Sequence, residues 1–386
     1  MTADGHPRAT PDAVDLADVV DVVALGESMV TFLPSGPGRL ADVASFERGI
    51  GGAESNVACV LAAAGHPARW VSRVGADGFG EHLVERIAGY GVDVRAVRRD
   101  AHRPTGVYFR TAADRATDAH EVAYYRAGSA ASAMAVGNVD PAAVRTARVL
   151  HLSGITAALS RDCLELTREL TTRRPGRPLV SFDVNHRPAL WPDADGPRVL
   201  LELARGADIV FVGNDEAEHA WGITGGPEAI REALPEPAVL VVKQGAHGAT
   251  AFAREAGGAE PGPPPSGSAR EDRDTGSRPP LPAPPGPGPV FEPALHVDVV
   301  ATTGAGDAFA AGFLSGTLRG LSLRTRLRYG HLFAAAALTT PGDLAAPPSR
   351  GHADRLAAVD AGAWGRLRLG PGWTHAGQAD EEAITP

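Results

Sequence analysis

The run Thr302-Thr303-Gly304-Ala305-Gly306-Asp307-Ala308-Phe309 sets two glycines and an acid where a β-prone segment gives way to a helical one. Glycine lets a backbone approach a ligand closely, and the free N–H groups at a helix N-terminus form an anion site. An acid in the first turn of that helix is expected to keep its charge, because the macrodipole favours the ionised form. Such a segment suits phosphoryl transfer: the N–H groups of Gly304, Ala305 and Gly306 cradle the moving group while Asp307 accepts the proton of an attacking hydroxyl. An ordinary helix start with a capping Asp has the same residues, so the segment alone leaves both readings open. A second constellation is Asp183-Val184-Asn185-His186-Arg187, directly after the apolar run Leu179–Phe182. In an extended chain residues two apart face one side, so Asp183, Asn185 and Arg187 can all enter one cleft. Arg187 could pair bidentately there with a carboxylate or phosphate. A turn stabilised by its own Asp and Arg is the alternative.

The elements that must hold these groups alternate. Strands are expected at Val19–Leu25, Arg69–Val74, Val149–Leu152, Leu179–Phe182, Ile209–Val212 and Val239–Val242. Helices are expected at Asn56–Ala64, Phe79–Tyr90, Arg161–Thr172, Val199–Arg205 and Ala305–Leu318. Alternation with apolar strands predicts one α/β domain with a mostly parallel sheet covered on both faces, and such sheets bind ligands at the carboxyl ends of their strands. Phe32–Glu47 and Val107–Tyr125 break the alternation and read as small antiparallel strands forming a flap. More than half of residues 257–289 are Pro or Gly. Such a segment supplies no core and reads as a disordered insertion between strands at Ala249–Phe252 and Leu295–Val300.

The 386 residues carry a net charge of −9, with 44 % hydrophobic and 22 % charged side chains. That balance belongs to a globular enzyme and argues against nucleic-acid or membrane-surface binding, which need a positive field. Cys59 and Cys163 both sit in apolar-periodic segments and read as buried thiols in a reducing cytoplasm. Residues 1–18 read as a disordered acidic tail without a secretory pattern, and residues 370–386 as a second disordered tail.

Val299-Val300-Ala301-Thr302-Thr303-Gly304-Ala305-Gly306-Asp307-Ala308-Phe309-Ala310-Ala311-Gly312-Phe313 resembles the C-terminal signature of the ribokinase-like (PfkB) carbohydrate kinases. Gly51-Gly52-Ala53-Glu54-Ser55-Asn56-Val57-Ala58, followed by Val74-Gly75-Ala76-Asp77-Gly78-Phe79-Gly80, resembles the N-terminal one. The resemblance spans roughly residues 20–350. It implies a three-layer α/β/α fold with a mostly parallel central sheet, one kinase domain over residues 19–365, and a β lid from about 30–50 and 105–130. By resemblance Asp307 is the catalytic base, with Gly304, Ala305 and Gly306 as its anion hole. Gly51 and Gly52 stand at the lid hinge near the substrate, which Asn56 contacts. Asn185, Lys243, Gly245 and Gly248 join Gly304 and Gly306 around ATP. Glu216 helps place Mg²⁺ through water, although the Asn of that family motif falls at Gly213. The family commonly has Asp before the paired threonines, where it helps bind a monovalent cation. Here that residue is Ala301, so the resemblance does not extend to potassium activation.

Within the family, Asp183–Trp191, Gly26–Val30 and Tyr124–Ser132 look most like the 2-keto-3-deoxygluconate kinases. That implies an acid-sugar site lined by Tyr108, Tyr124, Arg126 and Arg187, with Asp343 on substrate hydroxyls. Two arginines suit a sugar acid, whereas a neutral sugar would leave Arg126 without an anionic partner. A fructokinase or ribokinase-type enzyme is the alternative, as is a non-catalytic sugar-binding protein on the same fold. Association of copies through the lid is a further implication.

Overall fold

The computed structural model describes residues 19–36, 38–111, 121–191, 195–254 and 288–375. The expected tail 1–18, most of the Pro/Gly-rich insertion and residues 376–386 lie outside them. In chain order the first strands are β1 (Val20–Leu25), β2 (Met29–Pro34), β3 (Phe46–Gly51), β4 (Ala68–Gly75) and β5 (Val97–Asp100). Next come β6 (Val107–Arg110), β7 (Val122–Tyr125), β8 (Ala147–Ser153), β9 (Leu179–Asp183) and β10 (Ile209–Gly213). The last are β11 (Val239–Lys243), β12 (Gly248–Ala253), β13 (Val290–Pro293), β14 (His296–Val297) and β15 (Arg368–Leu369). The helices are α1 (Ala53–Ala63), α2 (Gly78–Ala88), α3 (Pro141–Arg145), α4 (Gly154–Ala157) and α5 (Arg161–Thr171). They continue as α6 (Gly196–Gly206), α7 (Asn214–Trp221), α8 (Gly226–Ala233), α9 (Ala305–Leu318) and α10 (Leu323–Leu338).

Nine strands form one sheet in the order β13-β12-β11-β10-β9-β8-β1-β4-β5. Every neighbouring pair from β5 to β11 is parallel, and β12 and β13 add antiparallel at one edge. The apolar runs are continuous because both faces are buried. In β10, Ile209 and Phe211 pack toward α9 and α10, while Val210 and Val212 pack into the opposite core. This period of two divides one strand between two helical layers. Helix α9 is buried from Ala308 to Leu318. It crosses α10 so closely that a Cβ on Gly312 would strike the Tyr329 carbonyl.

The second sheet is the lid, in the order β3-β2-β6-β7. It is not antiparallel throughout as expected: β2 and β6 run parallel, with Val30 opposite Val107 and Phe32 opposite Phe109. The strand expected at Leu295–Val300 is also corrected. Only His296–Val297 of it is a strand, β14, and Val300 is exposed in a loop. Residues 370–375 are no tail, because Trp373 is buried and stacks near His352, and β15 pairs with β14.

Candidate active site

The loop after β14 turns into α9 at Gly304, whose φ of 78° lies in the left-handed region. A Cβ there would strike the Asp343 carbonyl, so both conformation and contact require glycine. Ala305, Gly306 and Asp307 then form the first turn of α9. Asp307 is partly buried, and the side-chain amide of Asn56, from the first turns of α1, donates to its Oδ2 at 2.8 Å. Asn56 was expected on the substrate. The structure instead places its amide on the carboxylate, although it also lines the cavity.

The expectation that Asp307 is held ionised by the helix dipole is corrected. Burial pushes its carboxyl up to about 7. The Asn56 hydrogen bond and the Lys243 charge oppose this, while Asp183 and Glu54 add to it. Dipole effects amount to roughly 0.3–1 kcal/mol at a surface, far less than the cost of desolvating a carboxylate.

Lys243, the last residue of β11, pairs with Asp183 at the end of β9, Nζ to Oδ2 at 2.9 Å. Burial alone would lower its ammonium, but Asp183 and Glu216 outweigh that and hold it above its ordinary value. The nitrogen lies 3.8 Å from where a Gly306 Cβ would stand, so the ammonium overlooks the start of α9. Asp183, Asn185 and Arg187 all line one cavity of about 490 Å³, together with Gly51, Gly52 and Asp307. Asn185 has φ 41°, and its N–H donates to Asp183 Oδ1 at 3.3 Å. Glu216 caps α7 by accepting the Gly213 N–H at 2.7 Å, and its other oxygen lies 3.8 Å from Arg187. The Arg187 side chain is 52 % exposed.

The lid supplies the opposite wall. Tyr108 and Arg110, two apart on β6, both donate to the Asp343 carboxylate, with all three side chains buried. Burial and the Asp343 charge push the Tyr108 hydroxyl far above its usual range. Gly51 must lack a side chain, since a Cβ would meet Asp343 and Tyr108. Arg126 lies over the Tyr124 ring at 5.8 Å and is ion-paired with Glu27. Glu27 also accepts from Ser129 at 2.5 Å. The expectation that Arg126 needs a substrate anion is therefore corrected, for its partner is internal. Beneath the floor, the carboxyl of Glu54 accepts from Ser153 at 2.7 Å and from Thr156 at 2.6 Å.

The cavity thus brings together Gly51, Gly52, Asn56, Tyr108, Tyr124, Arg126, Asn185, Arg187, Glu216, Lys243, Gly304, Gly306, Asp307 and Asp343. Gly245, in the turn between β11 and β12, and Gly248, the first residue of β12, stand outside its lining, with φ of 56° and 141°. Glu27 and Arg110 line it and were not singled out. Arg110 had a signal, the period of two from Tyr108. Glu27 had only its place just past the buried strand β1. Among the described residues no three His, Cys, Asp or Glu side chains converge as a metal cluster, and no helix is long and apolar enough to cross a membrane.

The pfkB family carbohydrate kinase pattern matches residues 20–268 and 286–350. The chain is 34 % identical to the 2-dehydro-3-deoxygluconokinase of Bacillus subtilis (strain 168), over 86 % of this chain and 93 % of that protein. It is 32 % identical to the enzyme of the same name from Thermoproteus tenax, over 88 % and 94 %. A probable chloroplastic fructokinase-6 of Arabidopsis thaliana is 29 % identical, over 87 % and 78 %. Among solved structures, a PfkB protein from Polaromonas sp. JS666 superposes with a TM-score of 0.70 at 31 % identity, covering 87 % of this chain and 99 % of its own. With its partly buried carboxylate at a glycine-turned helix start, facing a lid across one cavity, the chain belongs to the pfkB family of carbohydrate kinases.

Proposed function

We propose that the chain transfers the γ-phosphoryl group of ATP to the terminal hydroxyl of 2-keto-3-deoxygluconate, giving ADP and 2-keto-3-deoxy-6-phosphogluconate. The observation that carries this reading is Asp307, a carboxyl with a pKa of about 7 at the mouth of an anion nest and in a cavity of sugar size. The hydroxyl proton passes to Asp307 as the oxygen attacks phosphorus, the bond to the ADP oxygen breaks, and the proton then returns to solvent. The N–H groups of Gly304 to Gly306 and the Lys243 ammonium stabilise charge on the equatorial oxygens. A nucleotide-borne Mg²⁺ needs only one or two protein carboxylates. Glu216, with one oxygen free of its cap, fits that need, and the ion would neutralise charge on the nucleotide phosphates. Ala301 offers no carboxylate for a monovalent cation.

Arg187 decides the substrate class. Among the cavity's arginines, Arg110 is held by Asp343 and Arg126 by Glu27, whereas Arg187 is half-exposed, donates to the His186 carbonyl at 3.1 Å and has its nearest carboxylate, Glu216, at 3.8 Å. Its guanidinium is the one placed to take a sugar carboxylate. Internal neutralisation of Arg110 and Arg126 favours the second reading, a neutral sugar such as fructose. The two separate in Arg187→Leu. On the acid-sugar reading KM for 2-keto-3-deoxygluconate rises about 10-fold or more, the loss of one charge-assisted pair. An unchanged KM would turn the assignment toward the neutral sugar.

A further inference from the structure

We propose a second ligand site, away from the kinase cavity, for a small organic anion with an apolar body. Between α3 and α5, over the beginning of β9, lies a cavity of about 350 Å³. Its walls include Val139, Val144, Leu150, Leu166, Leu170 and Val180. Four of these, Val144, Leu150, Leu166 and Val180, belong to the buried core of that face. A cleft of about 380 Å³ adjoins it, and the two share Arg174, Pro175, Arg177 and Pro178. Apolar wall and guanidinium rim are therefore parts of one site. Ligand pockets typically start at about 300 Å³, with apolar linings and a few polar groups that orient the ligand.

The rim has an excess of positive charge although the whole chain is at −9. Arg173 and Arg177 share one carboxylate, Asp208, each at 2.9 Å. Arg174 is held by Glu169. Arg145, at the end of α3, lines the cavity with no carboxylate partner among the described residues. At the mouth Val136 is 50 % exposed. An apolar chamber with such an entrance accepts an apolar group without hydrogen-bond cost, and guanidinium forks take a carboxylate or phosphate head. The strands beneath it lead away to the kinase site: Leu150 and Val180 floor the cavity, while Ser153 and Asp183 end the same strands.

The test is isothermal titration calorimetry of the full chain with octyl phosphate, octanoate, octanol and inorganic phosphate. Octyl phosphate or octanoate binds, and octanol and inorganic phosphate bind about 10-fold or more weakly, since each lacks half of the recognition. The tighter of the two anions identifies the head group. The double variant Arg145→Gln/Arg174→Gln and the cavity-filling Val139→Phe each weaken that binding about 10-fold or more. Sugar-kinase turnover stays unchanged in both, which also shows that they fold. Octanol binding as tightly as octyl phosphate would overturn the proposal, as would anion binding that neither variant alters.

Discussion

Asp307 ionises close to neutrality because burial outweighs the helix start, the Asn56 amide and the Lys243 charge. For a general base that is a useful range, since it must be free of its proton yet still attract one. The kcat/KM profile is expected to rise along an acid limb centred near pH 7. In Asp307→Asn turnover falls by about 10²–10⁴-fold with the limb gone. Stability runs the other way. The folded carboxyl has a raised pKa, against about 3.9 when unfolded, so the native state binds more protons across that window. Its contribution is full below about pH 4 and is lost as pH rises through 7. Asp307→Asn should therefore melt above the wild type at pH 8, the gap closing toward pH 4, and equal melting at pH 8 would contradict the raised pKa. Ala301 sets a second expectation at this scale. It has no carboxylate, and its N–H and that of Val300 both donate to the Leu338 carbonyl. Exchanging potassium for sodium should leave turnover unchanged; potassium-dependent activation would show that backbone oxygens suffice.

The turn into α9 holds the site at the scale of elements. Gly304 has φ 78° and touches the Asp343 backbone, so Gly304→Ala combines left-handed strain of about 1–2 kcal/mol with a clash that moves either α9 or the Asp343 loop. Urea unfolding should register at least that loss, and turnover should fall with it. Retained stability and turnover would mean that the turn relaxes freely. Most of this element was legible in the residues, because glycines and an acid at a strand-to-helix junction carry their own local chemistry. The strands β1, β8, β9, β10 and β11 were legible too, since burial on both faces writes a continuous apolar run. Helix α10 was not. Its buried Arg326 and Arg328 interrupt the apolar pattern, and Arg328 is satisfied by distant groups: Glu292, the carbonyls of Ala357 and Val359, and the Trp364 ring. The parallel pairing of β2 with β6 was equally hidden, because strand direction in the lid depends on the body. Arg126 could be picked out as a site residue, but its pairing with Glu27 joins the turn after β1 to the segment after β7 and is tertiary information.

Lid, sheet and helices all contribute side chains to the cavity. Arg110 and Tyr108 from the lid share Asp343, which follows α10, while Asn56 from α1 holds Asp307 of α9. Each half of the molecule therefore supplies groups that the other half positions, and the lid's donors and the Asp307 carboxyl line the same space. Two of the three arginines are closely paired with carboxylates, and on the proposed reading Arg187 takes the substrate carboxylate. The central claim, phosphorylation of an acid sugar, rests on that imbalance. An ADP-release assay with ATP and Mg²⁺, run across 2-keto-3-deoxygluconate, its galacto epimer, fructose and ribose, tests it most directly. The account predicts the highest kcat/KM for one of the two acid sugars; a wide margin in favour of fructose or ribose would contradict it.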